Sequence, residues 1–131
     1  GIVLGGVGCD LPAGLNLADE LASALADFEE VVAVSLGNTM LRDRLEGTGR
    51  LANETAVDHG VLGYMARAAG IDIDARRDHP YAAYGDVEFR VITQQGGDVW
   101  ARLLVRARRH LLDLHHLVHD ITIVTVRKIT D

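Results

Sequence analysis

Charged and aromatic side chains are concentrated between Arg67 and Tyr84, where guanidinium and carboxylate groups could pair. These eighteen residues include six charged side chains, a glycine, a histidine, a proline and two tyrosines. Neither helix nor strand periodicity accounts for this composition, so we expect a loop. Charge-assisted pairs are directional enough to fix a backbone that lacks regular structure. We therefore predict that Asp74 accepts hydrogen bonds from Arg67 or Arg76, with Tyr81 and Tyr84 packed beneath; the alternative is that these charges are simply solvated.

Histidines near the C-terminal end suggest a metal site as a second kind of chemistry. His115 and His119 are spaced by one helical turn and would share a face. Two histidines are only half of a zinc site, and the next ligand would have to be Asp120, His116 or a distant residue. No glutamate lies between them in the metalloprotease arrangement, so a polar helix face is the competing interpretation. His59 is a lone histidine beside a helix end, where contact with terminal carbonyls is the usual role.

The glycine-rich start, residues 1–8, has the composition of a phosphate-binding loop but not its spacing. A third glycine is missing at Leu11, and Pro12 and Gly14 interrupt the stretch before a helix can begin. This pattern favours a short extended segment followed by a turn over residues 10–14.

Composition limits the possible classes of protein. A chain of 131 residues with 48% hydrophobic and 24% charged residues fits one soluble domain. The net charge of −6 is uneven: residues 1–60 hold ten acids and three bases, whereas residues 61–131 hold nine acids and ten bases. This balance predicts no nucleic-acid surface. The single cysteine, Cys9, excludes an internal disulfide and favours a reducing, cytoplasmic location.

Targeting signals are not evident in the sequence. No apolar run reaches the roughly 18 to 20 residues needed to cross a bilayer, and the start lacks the basic residues of a signal peptide. The chain begins without methionine, so we expect it to be an excised piece of a longer protein.

Two helices are predicted in the first half. Asn16 is a suitable N-cap for a helix that continues to about Leu45, with Gly37 weakening its middle and residues 47–49 ending it. One apolar face of this helix consists of Leu21, Leu25, Phe28 and Val32. A short helix over residues 53–59 stops at Gly60, and a further turn over residues 61–69 leads into the expected loop.

The second half predicts one strand and one long helix. Apolar and polar residues alternate from Val87 to Ile92, which is typical of a half-buried strand. Asp98 is placed to cap a helix whose apolar seam comprises Trp100, Leu104, Ala107, Leu111, Leu114, Val118 and Ile121. Residues 121–126 are rich in β-branched side chains and also suit a strand. The charged residues outside this seam are predicted to form a solvated face or to contact the acidic first half; they are Arg102, Arg106, Arg109 and Asp113.

These elements predict a single domain, residues 1–131, of the helix-dominated α+β class. We expect two long packed helices, short helices and a small β-sheet that includes residues 87–92.

An ordered set of short motifs carries a resemblance across most of the chain. The set comprises Gly5-Gly-Val7, Asp10-Leu-Pro12, Asn38, Arg44, Gly49, Ala56, Gly60, Gly63, Arg67-x-x-Gly70, Asp74-x-Arg76, Pro80-Tyr81, Tyr84, Gly97-Asp98 and Arg102. In this order it resembles an internal part of the large subunit shared by respiratory complex I, its forty-nine-kilodalton subunit, and membrane-bound [NiFe]-hydrogenases. Residues 81–84 and 99–103 are more similar to the energy-converting or formate-hydrogenlyase type of hydrogenase.

This resemblance implies what the parent protein would contain. Hydrogenases of the family hold nickel and iron with two Cys-x-x-Cys pairs, and complex I forms its quinone pocket largely from other segments; neither is present here. Cys9 is not at a ligand position of the family, Ala69 replaces a serine often found before Gly70, and residues 121–131 do not resemble the family's continuation. The resemblance thus implies no cofactor in this segment and a parent that works with quinone or a NiFe centre.

Three functions remain open from the sequence. The first is a non-catalytic internal segment of an oxidoreductase large subunit, whose parent sits at the cytoplasmic membrane with an iron–sulfur small subunit and membrane subunits. The second is a free-standing binding or assembly module that kept the fold and lost the active site. The third is an independent enzyme that uses His115, His119 and Asp120. Apolar surfaces left uncovered in a separate piece also predict a homo-oligomer.

Overall fold

The computed structural model describes residues 2–3, 6–7, 14–81, 84–85 and 90–130, and the side chains of residues 14–81, 84–85 and 90–115. Within these ranges the regular secondary structure is helical apart from a short antiparallel pair. Strands β1 (Ile2–Val3) and β2 (Gly6–Val7) pair with Ile2 opposite Val7. The helices are α1 (Leu17–Gly37), α2 (Thr39–Leu45), α3 (Asn53–Asp58), α4 (Gly63–Ala68), α5 (Ala75–Asp78) and α6 (Val99–Thr130).

Helix α1 begins where the sequence predicts but ends earlier. The Asn16 side chain accepts a hydrogen bond from the Ala18 N–H, at 3.2 Å. Near residue 37 the helix stops, because Asn38 adopts an extended conformation and starts α2 by accepting a hydrogen bond from Leu41 N–H at 3.1 Å. The prediction of one helix to Leu45 is therefore wrong, and Asn38 both ends the first helix and caps the second.

The predicted small sheet is absent from the described part of the second half. Residues 90–92 are not strand, and residues 87–89 lie outside the described residues. The residues that follow form hydrogen bonds with carbonyls at the end of α4 instead of with a neighbouring strand. The Gln94 N–H donates to the Arg67 carbonyl at 2.9 Å, and the Gly97 N–H donates to the Ala68 carbonyl at 2.8 Å. The α+β prediction is wrong in its β part and correct in its dominance by helix.

Helix α6 confirms Asp98 as its cap and also extends further than predicted. The Asp98 Oδ1 accepts a hydrogen bond from Ala101 N–H at 2.7 Å. The backbone stays helical to Thr130, so the possible strand over residues 121–126 is wrong. None of the described helices combines the length and hydrophobicity that a membrane span requires.

The two long helices pack on each other, as predicted, but the most buried residues of α6 belong to a different contact. Ala68 of α4 packs with Ala101 and Val105 of α6, and Tyr64 lies against this cluster. Val105 is fully buried, whereas the seam residues Leu104 and Leu111 are only half-buried. Helix α6 therefore turns its best-buried side toward α4, because the alanines let the two backbones approach closely.

Candidate functional site

A buried cluster of charges lies where α4, α5 and α6 meet, and we call Arg67, Asp74, Arg76 and Asp113 the Asp74 cluster. Arg67 belongs to α4, Asp74 caps α5, Arg76 lies within α5, and Asp113 lies on α6. Arg67, Asp74 and Arg76 are at most 6% exposed. The predicted irregular loop is thus interrupted by parts of two helices, because the Asp74 side chain accepts from the Arg76 N–H and begins a helical turn.

Asp74 is saturated with hydrogen bonds. Its Oδ1 accepts from Arg76 Nε at 3.0 Å, and its Oδ2 accepts from Arg76 Nη2 at 2.9 Å, which is the two-pronged pairing of a guanidinium with a carboxylate. Its Oδ2 also accepts from Arg67 Nη1 at 3.1 Å. The prediction that Asp74 pairs with Arg67 or Arg76 is confirmed, and both arginines take part.

Asp113 completes the Asp74 cluster from α6. Arg76 Nη1 donates to Asp113 Oδ1 at 3.0 Å and to Oδ2 at 3.1 Å. The sequence predicted that Asp113 lies on a solvated face or contacts the first half; its side chain is 38% exposed, but its contact is with Arg76 of the second half. The sequence contained one indication of pairing. Asp113 follows Arg109 by four residues, so the two side chains share a helix face, and in the structure they pair at 3.4 Å.

The electrostatics keep both kinds of charge ionised. Burial would raise the pKa of Asp74, but the hydrogen bonds from Arg76 and the charges of Arg76 and Arg67 outweigh it and lower that pKa to about 2. The hydrogen bond to Asp74 raises the pKa of Arg76 against the opposing effect of burial, with Asp113 adding to the increase. A carboxylate that stays ionised at neutral pH cannot serve as a general acid there, so this arrangement suits fixed electrostatic positioning rather than proton transfer.

The two tyrosines differ in their surroundings. The Tyr84 ring lies beside the Arg76 guanidinium, 5.7 Å from its centroid, while Tyr81 is 58% exposed. The two rings meet edge to face with centroids 4.9 Å apart. Tyr84 therefore packs against the Asp74 cluster as predicted, and Tyr81 lies at the surface rather than beneath it. Pro80 is also exposed.

A second group of predicted residues anchors the start of α6. Asp98 Oδ2 accepts a hydrogen bond from Gly47 N–H at 2.8 Å, and Arg102 Nη2 donates to the carbonyls of Gly49 and Gly97 at 2.6 and 2.9 Å. Burial would raise the pKa of Asp98, but the backbone donors lower it below its usual value. Asp98 and Arg102 thus tie the segment after α2 to α6.

The remaining predicted residues lie apart from these groups. Arg44 is exposed, and its carbonyl accepts a hydrogen bond from the Thr48 hydroxyl at 2.8 Å. Gly70 has a positive φ of 87°, and a Cβ there would collide with the Gln95 side chain. Sequence reasoning did not identify this close contact with Gln95, since no spacing rule connects the two positions.

The proposed histidine ligands are not assembled into a site in the described residues. His115 Nε2 lies 2.8 Å from Glu29 Oε1, an exposed pair that links α6 to α1. Among the side chains described, no three His, Cys, Asp or Glu residues converge in a way that could hold a metal ion. His116, His119 and Asp120 lie beyond the described side chains, so the metal hypothesis stays a prediction.

Comparisons with known proteins agree on one family. The family described as "Respiratory-chain NADH dehydrogenase, 49 Kd subunit" matches residues 1–110. An NADH-quinone oxidoreductase subunit of Streptomyces coelicolor is 39% identical over 120 residues, covering 85% of this chain and 30% of that protein. An F(420)H(2) dehydrogenase subunit of Methanosarcina mazei is 36% identical over 107 residues, covering 78% of this chain and 28% of that protein.

A solved structure shows the same similarity in three dimensions. A chain of the membrane-bound sulfane sulfur reductase, an archaeal respiratory membrane complex, superposes with a TM-score of 0.72 and 29% identity, covering 79% of this chain and 27% of its own length. The present chain therefore spans less than a third of the relatives it matches. With the family match extending over residues 1–110, the chain belongs to the family of the 49 Kd subunit of respiratory-chain NADH dehydrogenase.

Proposed function

We propose that the chain forms a non-catalytic internal part of the large subunit of a membrane-bound oxidoreductase complex. The intact subunit takes part in electron transfer to quinone or to protons. The observation that carries this proposal is the Asp74 cluster, in which Arg67, Asp74, Arg76 and Asp113 use their charges to hold three helices together. Such a cluster fixes the position of neighbouring segments and leaves the redox chemistry to other parts of the subunit.

The extent of exposed surface supports a role inside a larger assembly. Large apolar side chains contribute to that surface, including Val31 at 62% exposed and Val34 at 68%. The remaining two thirds of a relative of full length would cover part of this area.

The partners we propose are those of the relatives' complexes. The names of the relatives describe quinone oxidoreductases and a respiratory membrane complex, which favours membrane subunits as neighbours. We further propose an iron–sulfur small subunit as a neighbour and a position at the cytoplasmic side of the membrane. A nickel–iron centre does not fit the residues present, because its bridging thiolates require several cysteines and the chain has only Cys9. No step of the reaction is therefore assigned to this segment.

The experiment that tests this proposal is isolation of the chain from its native membranes. Solubilised membranes would be separated by native electrophoresis, and the band that contains this sequence would be analysed by mass spectrometry. We expect peptides from flanking parts of the same polypeptide and from iron–sulfur and membrane subunits in the same band. The proposal fails if the sequence migrates alone as a small protein.

A free-standing assembly module is the second candidate function. The exposed Val31 and Val34 favour it, since a separate chain with this surface would bind another copy or another protein. A reading frame that ends near Asp131, together with a stable homo-oligomer in solution, would support the module over the internal segment.

A further inference from the structure

A cleft of about 380 Å³ opens beside the Asp74 cluster. It is bordered by both charged and apolar groups, which distinguishes it from a purely ionic surface. The charged lining includes Arg67, Arg76 and Arg109, and the apolar lining includes Leu62, Ile73 and Tyr81. A site with this lining suits a small organic group that carries a charge.

Two guanidinium nitrogens of the lining residues lack hydrogen bonds. Arg67 donates from Nη1 to Asp74 and to the Ile73 carbonyl, yet its Nη2 is buried and has no partner in the described part of the chain. The Nε of Arg109 is also buried and unsatisfied among the described residues, and it lies 3.4 Å from Asp113 Oδ2 without forming a hydrogen bond. Buried donors are nearly always satisfied in folded proteins, so the Arg67 Nη2, unlike the Arg109 Nε with its nearby carboxylate, calls for an acceptor.

The charges around the cleft leave positive charge in excess. The lining contains three guanidinium groups, from Arg67, Arg76 and Arg109, and two carboxylates, from Asp74 and Asp78; Asp113 pairs with Arg76 and Arg109 from outside the lining. The Oδ1 of Asp78 is paired with Arg77 Nε at 2.8 Å. His79, the remaining titratable group of the lining, is exposed. An anion that enters the cleft would therefore meet a net attraction.

We infer that this cleft binds an organic carboxylate through Arg67 and Arg109. The planar fork of a guanidinium matches a carboxylate, and Arg67 uses one terminal nitrogen for Asp74 while the other, which is buried, has no acceptor among the described residues. The apolar lining favours an organic ligand over an inorganic ion. The carboxylate comes from one of two sources: a free small molecule, or an aspartate or glutamate side chain from a neighbouring part of the complex. Binding by the isolated chain does not depend on the proposed function, because it rests on this chain's own residues, whereas the choice between the two sources does.

The test uses butyrate as the probe, with sodium chloride and inorganic phosphate at matched ionic strength. Binding would be followed by calorimetry and by the Nε–Hε NMR signals of the arginines. Arg109→Gln is the informative variant, because the Arg109 side chain is 37% exposed, against 4% for Arg67, so the fold should depend on it less. Arg108→Gln is the matched control, since Arg108 is the neighbour of Arg109 on α6 and lines a different cleft with Arg90. Arg109→Lys replaces the glutamine variant if that variant does not fold.

We expect saturable butyrate binding in the millimolar range that shifts the Arg67 and Arg109 signals. Arg109→Gln should weaken binding at least tenfold, and Arg108→Gln should leave it unchanged. The assembled complex separates the two sources: it binds butyrate if the ligand is free, and it does not if a protein carboxylate already fills the cleft. The inference is overturned if butyrate binding does not saturate, if phosphate binds as tightly as butyrate, or if Arg109→Gln binds like the unmodified chain.

Discussion

Arg76 and Asp113 are 37 positions apart in sequence and joined by two hydrogen bonds, of 3.0 and 3.1 Å, from a single guanidinium nitrogen. This contact fixes the short helix α5 against the long helix α6. Because the other nitrogens of Arg76 already bind Asp74, the same side chain connects a local turn to a distant element. Arg76 therefore joins α5 to α6, while Arg67 holds Asp74, the cap of α5, from α4.

Asp74→Asn should lower the free energy of unfolding by about 3 to 5 kcal/mol, the usual effect of removing one member of a buried ion pair. The loss arises because Arg67 would keep a buried charge without a carboxylate, and Arg76 would keep only Asp113 as its partner. Urea unfolding followed by circular dichroism measures it. Asp72→Asn is the control, because Asp72 pairs with Arg77 at the surface and should leave stability unchanged. Equal stability of Asp74→Asn and the unmodified chain would show that the Asp74 cluster contributes no stability.

The stability should fall in acid because of Asp74. Its pKa is about 2 in the folded chain and near 3.8 when unfolded, so its contribution is fully present above pH 5 and is lost as the pH falls through about 2. The contribution is on the order of 2 kcal/mol. Unfolding measured from pH 7 to pH 2 should show this loss in the unmodified chain and a weaker pH dependence in Asp74→Asn. Parallel profiles for the two proteins would contradict the assignment.

Gly97→Ala should destabilise the chain by more than about 1 kcal/mol, for two reasons. The residue has a φ of 66°, and an added Cβ would collide with the Leu51 carbonyl oxygen, which belongs to a backbone rather than to a flexible side chain. Gly37→Ala is the control, because it lies in α1 with open space around it, so alanine should be neutral or stabilising there. Thermal melting of both variants gives the comparison, and a Gly97→Ala variant as stable as Gly37→Ala would rule out the close approach.

Val34→Glu should reduce self-association. Val34 is 68% exposed on α1, a helix with five acidic and no basic side chains, so a further negative charge would repel an apolar or acidic partner surface. Light scattering after gel filtration should show a homo-oligomer for the unmodified chain and a smaller species for the variant. Ser23→Glu, at an exposed position of the same helix, controls for charge alone. A monomer at high concentration in the unmodified chain would remove the homo-oligomer prediction.

The elements that the sequence predicts well are those controlled by local chemistry. Asn16 and Asp98 are correctly identified as caps because a capping side chain bonds to an N–H only two or three residues away. The pairing of Asp74 with Arg76 is predictable for the same reason. Gly37 was predicted to weaken the middle of a longer helix, but α1 ends there because the neighbouring Asn38 is extended and caps α2.

The parts that could not be predicted depend on contacts between distant residues. The alternation around residues 87–92 resembles a strand, yet a strand needs a partner, and the chain after residue 90 bonds instead to the carbonyl ends near Arg67 and Ala68. Asp113 was missed because its partner Arg76 lies 37 positions away. The predicted apolar seam of α6 consists mainly of large residues, whereas the buried cluster that α6 forms with α4 uses Ala101 and Val105.

The alanine-rich core of the described residues has a thermal consequence. Of the eight buried apolar residues among those the structure describes, six are alanines, and the two larger ones are Leu25 and Val105. Alanine exposes little apolar area on unfolding, so the heat-capacity increase should fall below the usual value of about 12 cal/mol/K per residue. The stability curve of the chain should accordingly be unusually flat, with cooling from about 40 to about 10 °C changing its free energy of unfolding little. Scanning calorimetry at several pH values would measure this increase, and a value of ordinary size would mean that more apolar surface is buried than these residues provide.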